Sequence, residues 1–417
     1  MTGPIRSDLE PFTVPRPART LSYCGILHFL HDGALYALYV LFPLVGADLR
    51  LSFTQVGALK TAFSGCLGLS QFPAGFLAQR TGEFVPLLAG TLLLGGGIAL
   101  LPFAWGFAPL LFFLGLGGFG SGVQHPLSSS LVSRAYDIGP RRRALGTYNM
   151  AGDLGKVALP ALIGIIAVAG SWRVGAWGLA FSLLMVTGLV AMTGGGALTT
   201  GPLSTSARSR PRRPSSWWGI EDRRRFILLT ILGAVDDATR AGFVLFLPFV
   251  LQSQGLGPDQ IGWCLALLFL GGAGGKFVCG ALAEGVGITA MVVITEVSTA
   301  LGLLFIPRLP VALIALVLPL MGIVLNGTSS VLYATVADLV SSEKRAQGYG
   351  LYYTMIQTAG ALSPIIAGRV ADGWGLSAAF TLMAGILLTI TPVSYLLRGL
   401  TRLTMTPTPV QREIETH

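Results

Sequence analysis

Charge is scarce in this chain. Of 417 residues only 11% are Asp, Glu, Lys or Arg, and none of these occurs in residues 84–133. A run that long excludes an ordinary soluble fold, because a membrane span needs only about 20 apolar residues. Cysteine is scarce as well. Cys24, Cys66, Cys264 and Cys279 lie in apolar stretches without Cys-x-x-Cys spacing, so they read as packing residues rather than disulfides or thiolate metal ligands. The phosphate-cradling Gly-x-x-x-x-Gly-Lys-Ser/Thr loop is missing. Its nearest relative, "GGAGGKF" at residues 271–277, sits inside an apolar segment with no strand before it, and its glycines suit close helix packing. With no metal-ligand cluster and no catalytic domain outside the membrane, no enzyme activity, cofactor or metal is expected. The first 20 residues are polar and proline-rich and carry no cleavable signal pattern, so the first apolar helix is expected to direct insertion.

What the chain has in abundance is apolar sequence: 52% hydrophobic residues, with 56 glycines and 24 prolines. Cutting at charges, Pro/Gly clusters and polar turns predicts twelve spans, at 21–47, 53–79, 84–103, 107–133, 144–168, 172–198, 226–252, 259–283, 287–306, 310–338, 346–370 and 375–397. Runs this long favour helices over a barrel, whose strands are about 10 residues of alternating polarity. Of the 28 Lys and Arg, 20 fall in segments that lie on one side if the N-terminus is cytoplasmic. The positive-inside rule then puts both termini in the cytoplasm. The net charge of +9 is read as this bias together with attraction to anionic lipid, not as nucleic-acid binding.

An internal repeat organises the chain. Asp32 and Asp237, Pro43 and Pro248, Gln55 and Gln260, Gly57 and Gly262, Gly75 and Gly280, and Gly82 and Gly287 are each 205 residues apart. The offset drifts to 202 for Arg143/Arg345 and 204 for Pro160/Pro364. Two six-helix bundles follow, at 21–198 and 226–398. A basic cytoplasmic linker at 199–225 joins them, and cytoplasmic tails lie at 1–20 and 399–417. An even number of spans per half gives both halves one orientation, a pseudo-two-fold along the membrane normal and a cavity between them.

"GFLAQRTG" (residues 75–82) and its echo "GALAEGVG" (residues 280–287) resemble the loop signature of the major facilitator superfamily. The resemblance implies an all-α membrane protein of twelve transmembrane helices in two pseudo-symmetric bundles. "HFLHDG", "LSFTQVG", the His125-Pro126 step and "RRRALGTYNMAGDLGKVALP" are more narrowly similar to fosmidomycin-resistance-type drug/proton antiporters. The resemblance implies a gating loop at Gly75, Arg80, Gly82 and Glu284. The chain departs from the pattern at Gln79, where the superfamily has Asp, and at Glu83-Phe84, where it has a basic pair. Asp153 and Lys156 stand where those antiporters have neutral residues.

A charge at the bilayer centre costs at least about 2.5 kcal/mol, so the intramembrane charges are the candidate site. Asp32 lies about 16 Å into the first helix at 1.5 Å per residue, and His28 shares its face at i,i+4. His31 lies beside them. Together with Asp153, Asp236 and Asp237 they are candidate proton carriers, because His titrates near neutrality and burial raises a carboxylate. A His–Asp hydrogen bond that merely pins the first helix is the plainer alternative. Lys156 and Arg240 are candidate anion-binding residues, or partners in silent pairs on their own helices, Lys156 with Asp153 at i,i+3 and Arg240 with Asp236 or Asp237. Tyr36 is a candidate cavity aromatic. His125 either touches substrate or caps the distortion at Pro126. Lys60 is expected to snorkel outward and Lys276 inward.

The expectation is a monomeric secondary transporter of the cytoplasmic (inner) membrane. Its partners are lipid, protons and a small-molecule substrate, with proton-coupled efflux of a drug-like solute by antiport as the leading reading. Proton-coupled uptake of an organic anion is one alternative, and a non-transporting assembly factor or sensor on a transporter fold is another.

Overall fold

The computed structural model describes residues 17–136, 138–194, 219–341 and 345–397. Residues 1–16, 195–218 and 398–417, which hold the predicted tails and most of the linker, lie outside them. In lipid every backbone N–H and C=O must be satisfied within the protein, and this chain does so with helices. The first half contains α1 (Pro17–Asp48), α2 (Phe53–Thr81), α3 (Phe84–Leu100), α4 in two segments (Phe107–Ser121 and Gln124–Ala135), α5 (Ile138–Ala169) and α6 (Trp172–Thr193). The second contains α7 (Arg223–Ser253), α8 (Pro258–Val286), α9 (Ile288–Phe305), α10 (Val311–Leu339), α11 (Arg345–Trp374) and α12 (Leu376–Ile390).

Two departures from the sequence reading have physical causes. The fourth span is broken at Gly122–Val123, just before Pro126, which has no N–H to continue the ladder. The fifth helix begins at Ile138 rather than 144, so Arg141 to Arg143 lie on a helix rather than in a loop. Nine stretches among the described residues are long and apolar enough to cross a membrane by themselves. The helices that fall short are α2, α7 and α11, and all three line the central cavity.

Several of the repeated residues have the same task in both halves. Gln55 and Gln260 close the first turns of α2 and α8, accepting from the backbone N–H of Ser52 at 2.9 Å and of Gly257 at 3.0 Å. Gly82 and Gly287 end those helices at φ 75° and 86°, a conformation that favours glycine. Gly57 lies against the carbonyl of Pro364 on α11, and Gly262 against that of Pro160 on α5. A Cβ would stand 2.2 Å and 2.4 Å from those oxygens. The halves therefore meet twice, α2 on α11 and α5 on α8, by backbone against backbone.

The cores reveal which side is closed. The end carrying Asp48, Arg173 and Asp372 is here termed distal, and the end carrying Pro17, Arg80 and Arg134 proximal. Distally one apolar cluster runs across both halves, including Val40, Leu59, Ile163, Leu247, Leu265 and Phe380. Proximally each half keeps a cluster of its own, around Leu27, Leu127 and Tyr148 in one and around Leu229, Val336 and Tyr352 in the other. The halves are joined distally and parted proximally.

Candidate functional site

Asp32 stands at the centre of the site. It is 8% exposed, and its carboxylate faces three groups: Lys156 Nζ at 3.0 Å, His28 Nε2 at 3.2 Å and His125 Nε2 at 3.4 Å. Lys156 lies 3.1 Å from Asp153, and Asp153 lies 2.8 Å from Lys276 Nζ. The network thus runs from α4 through α1 and α5 to α8, crossing between the halves at Asp153–Lys276. Asp153 with Lys156 is therefore no isolated i,i+3 pair.

Helix packing sets the orientation of His28. Its Nδ1 is 2.9 Å from the carbonyl oxygen of Tyr148, and its ring stacks on that tyrosine at 4.2 Å. A carbonyl only accepts, so Nδ1 carries a hydrogen and Nε2 is presented to Asp32. His31 is turned elsewhere. Thr91 gives its hydroxyl hydrogen to Leu87 O at 2.8 Å, so it accepts from His31 Nε2 at 2.9 Å. That bond ties α1 to α3 and leaves His31 out of the Asp32 network. His125 begins the second segment of α4, where the break at Gly122–Val123 aims its half-exposed ring at Asp32.

The α7 charges divide. Asp237 pairs with Arg240, whereas Asp236 is buried and accepts from Ser329 Oγ of α10 at 2.9 Å. Two adjoining cavities of about 170 and 240 Å³ share Tyr36 and Arg240. The first adds Lys60 and Asp237, the second Lys156, Lys276 and Asp153. Four cations thus face two lining carboxylates. Lys156 Nζ also lies 5.5 Å above the Tyr36 ring, a cation–π contact.

Lys60 and Lys276 differ from the snorkelling expected of them. Lys60 is 7% exposed, lies 5.8 Å over the Tyr39 ring and lines the cavity. Lys276 turns to Asp153. Both are held by partners inside the protein, which suits a long cationic side chain better than a path through lipid. At the proximal loop, Gly75 has open space beside it, Arg80 is exposed and Gly82 ends α2. Glu284 lies on α8, but its side chain is outside the described set. Glu83, which was not among the predicted site residues, is 1% exposed and pairs with Arg134 while accepting from Ser130 Oγ at 2.9 Å. Its signal was a lone acid between two apolar spans.

The family model described as Major Facilitator Superfamily matches this chain twice, over residues 24–235 and 229–415. The hexuronate transporter of Bacillus subtilis is 26% identical over 397 residues, 88% of this chain and 90% of that one. The 3-(3-hydroxy-phenyl)propionate transporter of Escherichia coli is 26% identical over 344 residues, 78% and 83%. The fosmidomycin resistance protein of Escherichia coli is 29% identical over 167 residues, only 40% and 41%. Among solved structures, a bacterial homolog of the human lysosomal transporter Spinster, inward-facing and occupied, superposes with a TM-score of 0.78 at 16% identity, covering 94% of this chain and 99% of that one. That likeness is one of fold.

Proposed function

The chain belongs to the Major Facilitator Superfamily, and from that premise we propose that this secondary transporter carries a small organic anion together with protons. The observation that carries this reading is the set of four cations, Lys60, Lys156, Arg240 and Lys276, around two adjoining cavities that share Tyr36 and Arg240. Arg240 suits a carboxylate or phosphonate through its planar fork, and Tyr36 offers an aromatic face. Two of the relatives matched over most of this chain are named for a hexuronate and a phenylpropionate, both carboxylates, which supports an anionic substrate.

The coupling follows from competition for Lys156. With Asp32 ionised, Lys156 is held by two carboxylates, at 3.0 and 3.1 Å. A proton on Asp32 removes one of them and frees the ammonium for the substrate. Proton and anion then favour each other's binding, and by linkage the effect is reciprocal. That is the thermodynamic condition for symport, so uptake of an organic anion replaces antiport as the preferred reading. The likeness to the fosmidomycin resistance protein, over 40% of this chain, supports drug/proton antiport as the second reading. Both readings place the arginine-rich proximal face in the cytoplasm of the inner membrane, with bundles at 21–198 and 226–398 and the linker and tails on that side.

Proteoliposomes holding the purified protein and a pH-sensitive dye separate the two. Adding glucuronate or phenylpropionate outside should acidify the lumen if proton and anion enter together. Alkalinisation of the lumen would establish antiport, and no proton movement with any carboxylate would reject the proposal.

A further inference from the structure

Three nitrogen and oxygen donors from α1 and α4 converge at the centre of the molecule: His28 Nε2, His125 Nε2 and a carboxylate oxygen of Asp32, all within 4.8 Å of one another. We infer that they form a binding site for a zinc-class divalent cation, which competes with Lys156 for Asp32. The inference goes beyond the anion reading and does not rest on it.

Distances carry the argument. A tetrahedral zinc with ligands at about 2.0–2.1 Å places neighbouring donors about 3.3 Å apart. His28 Nε2 lies 3.2 Å from Asp32 Oδ2 and His125 Nε2 lies 3.4 Å from Asp32 Oδ1, so each imidazole already stands at that length from one oxygen of the carboxylate. No edge among the three donors has to close by more than about 1.5 Å. His28 is 3% exposed, and its Nε2 has no aligned hydrogen-bond partner. Its Nδ1 faces the Tyr148 carbonyl at 2.9 Å, the outer-shell contact that fixes the tautomer of a metal-bound histidine. The ring lies flat against α5, where a Cβ on Gly152 would stand 2.5 Å from Nε2. His125 is half exposed, which gives an entry path and leaves a fourth position for water. Two imidazoles and one carboxylate select zinc-like ions over magnesium or calcium.

The charged neighbours are accounted for. Lys156 Nζ, 3.0 Å from Asp32, must leave when a cation binds, and Asp153 at 3.1 Å remains to hold it. Lys276 stays on the far side of Asp153. His31 is bonded to Thr91 and takes no part.

Zinc chloride titrated calorimetrically into the full-length protein in detergent, with magnesium chloride as comparison, tests the site. One zinc per chain is expected and no magnesium. His125→Ala, at a half-exposed position, should weaken zinc binding ~10-fold or more, whereas His31→Ala should leave it unchanged. Lys156→Gln removes the competitor and should tighten binding. A merely structural cluster predicts the opposite, because the loss of Lys156 would disorder it. Zinc should also raise the melting temperature of the wild type and not of His125→Ala. No zinc heat, binding unaltered by His125→Ala, or weaker binding in Lys156→Gln would each overturn the site.

Discussion

Asp372, on the last turn of α11, caps the first turn of α2 in the other half. Its carboxylate accepts from the backbone N–H of Phe53 at 2.7 Å and of Thr54 at 2.9 Å, and from Thr54 Oγ1 at 2.5 Å. Among the described residues the symmetry-related crossing shows no such cap, and the repeat explains why. Pro258 stands where the first half has Phe53, and proline has no N–H to offer.

A helix cap is worth about 1 kcal/mol, so Asp372→Ala should shift the ratio of distally closed to distally open molecules about fivefold toward open. Spin labels at Ala47 and Ser253, exposed on the distal side of each half, report it as a gain in the longer distance. Partial burial raises the Asp372 carboxyl, but the Thr54 and Phe53 hydrogen bonds outweigh it and hold the group below the ordinary carboxylate range. Its contribution is complete above the unfolded pKa and is lost only as pH falls through the lower folded value. The wild-type distance distribution should therefore stay flat from about pH 8 to about pH 5 as far as this group governs it.

Gly57→Val and Gly262→Val place a side chain where a Cβ would already be 2.2 and 2.4 Å from a carbonyl oxygen. Neither carbonyl can retreat without moving its helix. Each variant should insert normally and lose transport by roughly 10-fold or more, because it resists distal closure. Wild-type turnover in either would show that the crossings are looser than the backbone distances demand.

Asp32→Asn keeps the shape of the side chain and removes its titration. Uphill accumulation driven by a pH gradient should disappear, while exchange of labelled for unlabelled substrate across the membrane persists. Gradient-driven accumulation in that variant would remove Asp32 as the proton carrier.

Asp153 holds two lysines on two helices, so Asp153→Asn alone strands Lys276, leaves Lys156 with Asp32 as its remaining carboxylate and should lower the melting temperature. Asp153→Asn with Lys156→Gln still leaves Lys276 without its carboxylate, so it should recover folding only in part, and it should raise KM for an anionic substrate by roughly 10-fold, since one of the cavity's cations has gone. An unchanged KM would make the pair purely architectural.

Much of this was legible in the sequence for particular reasons. The 205-residue offset found Gln55 and Gln260, Gly57 and Gly262, and Gly82 and Gly287, because each pair does the same mechanical work in both bundles. Asp32 stood out because a carboxylate in an uncharged run needs a reason to be there. The partners of these residues were not legible. His125 lies 93 positions from Asp32, and Lys276 meets Asp153 across 123 positions, distances over which no helical period informs. Lys60 was expected to snorkel outward and Lys276 inward, because periodicity does not reveal which side of a helix faces a cavity. His31 looked equivalent to His28 until Thr91 on α3 claimed it.

The crossings at Gly57 and Gly262 have a consequence for energy conversion. Each is a dry contact between helices whose own ladders already satisfy most of their backbone groups, so parting them strands few donors or acceptors. Among the described contacts across the α2–α11 crossing, the hydrogen bonds lost on parting are those to Asp372 and the one from Thr61 Oγ1 to Ala361 O, at 2.6 Å. A seal made this way leaves the apolar cluster that spans both halves, rather than buried polar groups, as the main cost of opening. Such a contact supplies no directed work of its own, and the direction of flow is set by whichever gradient stands across the membrane.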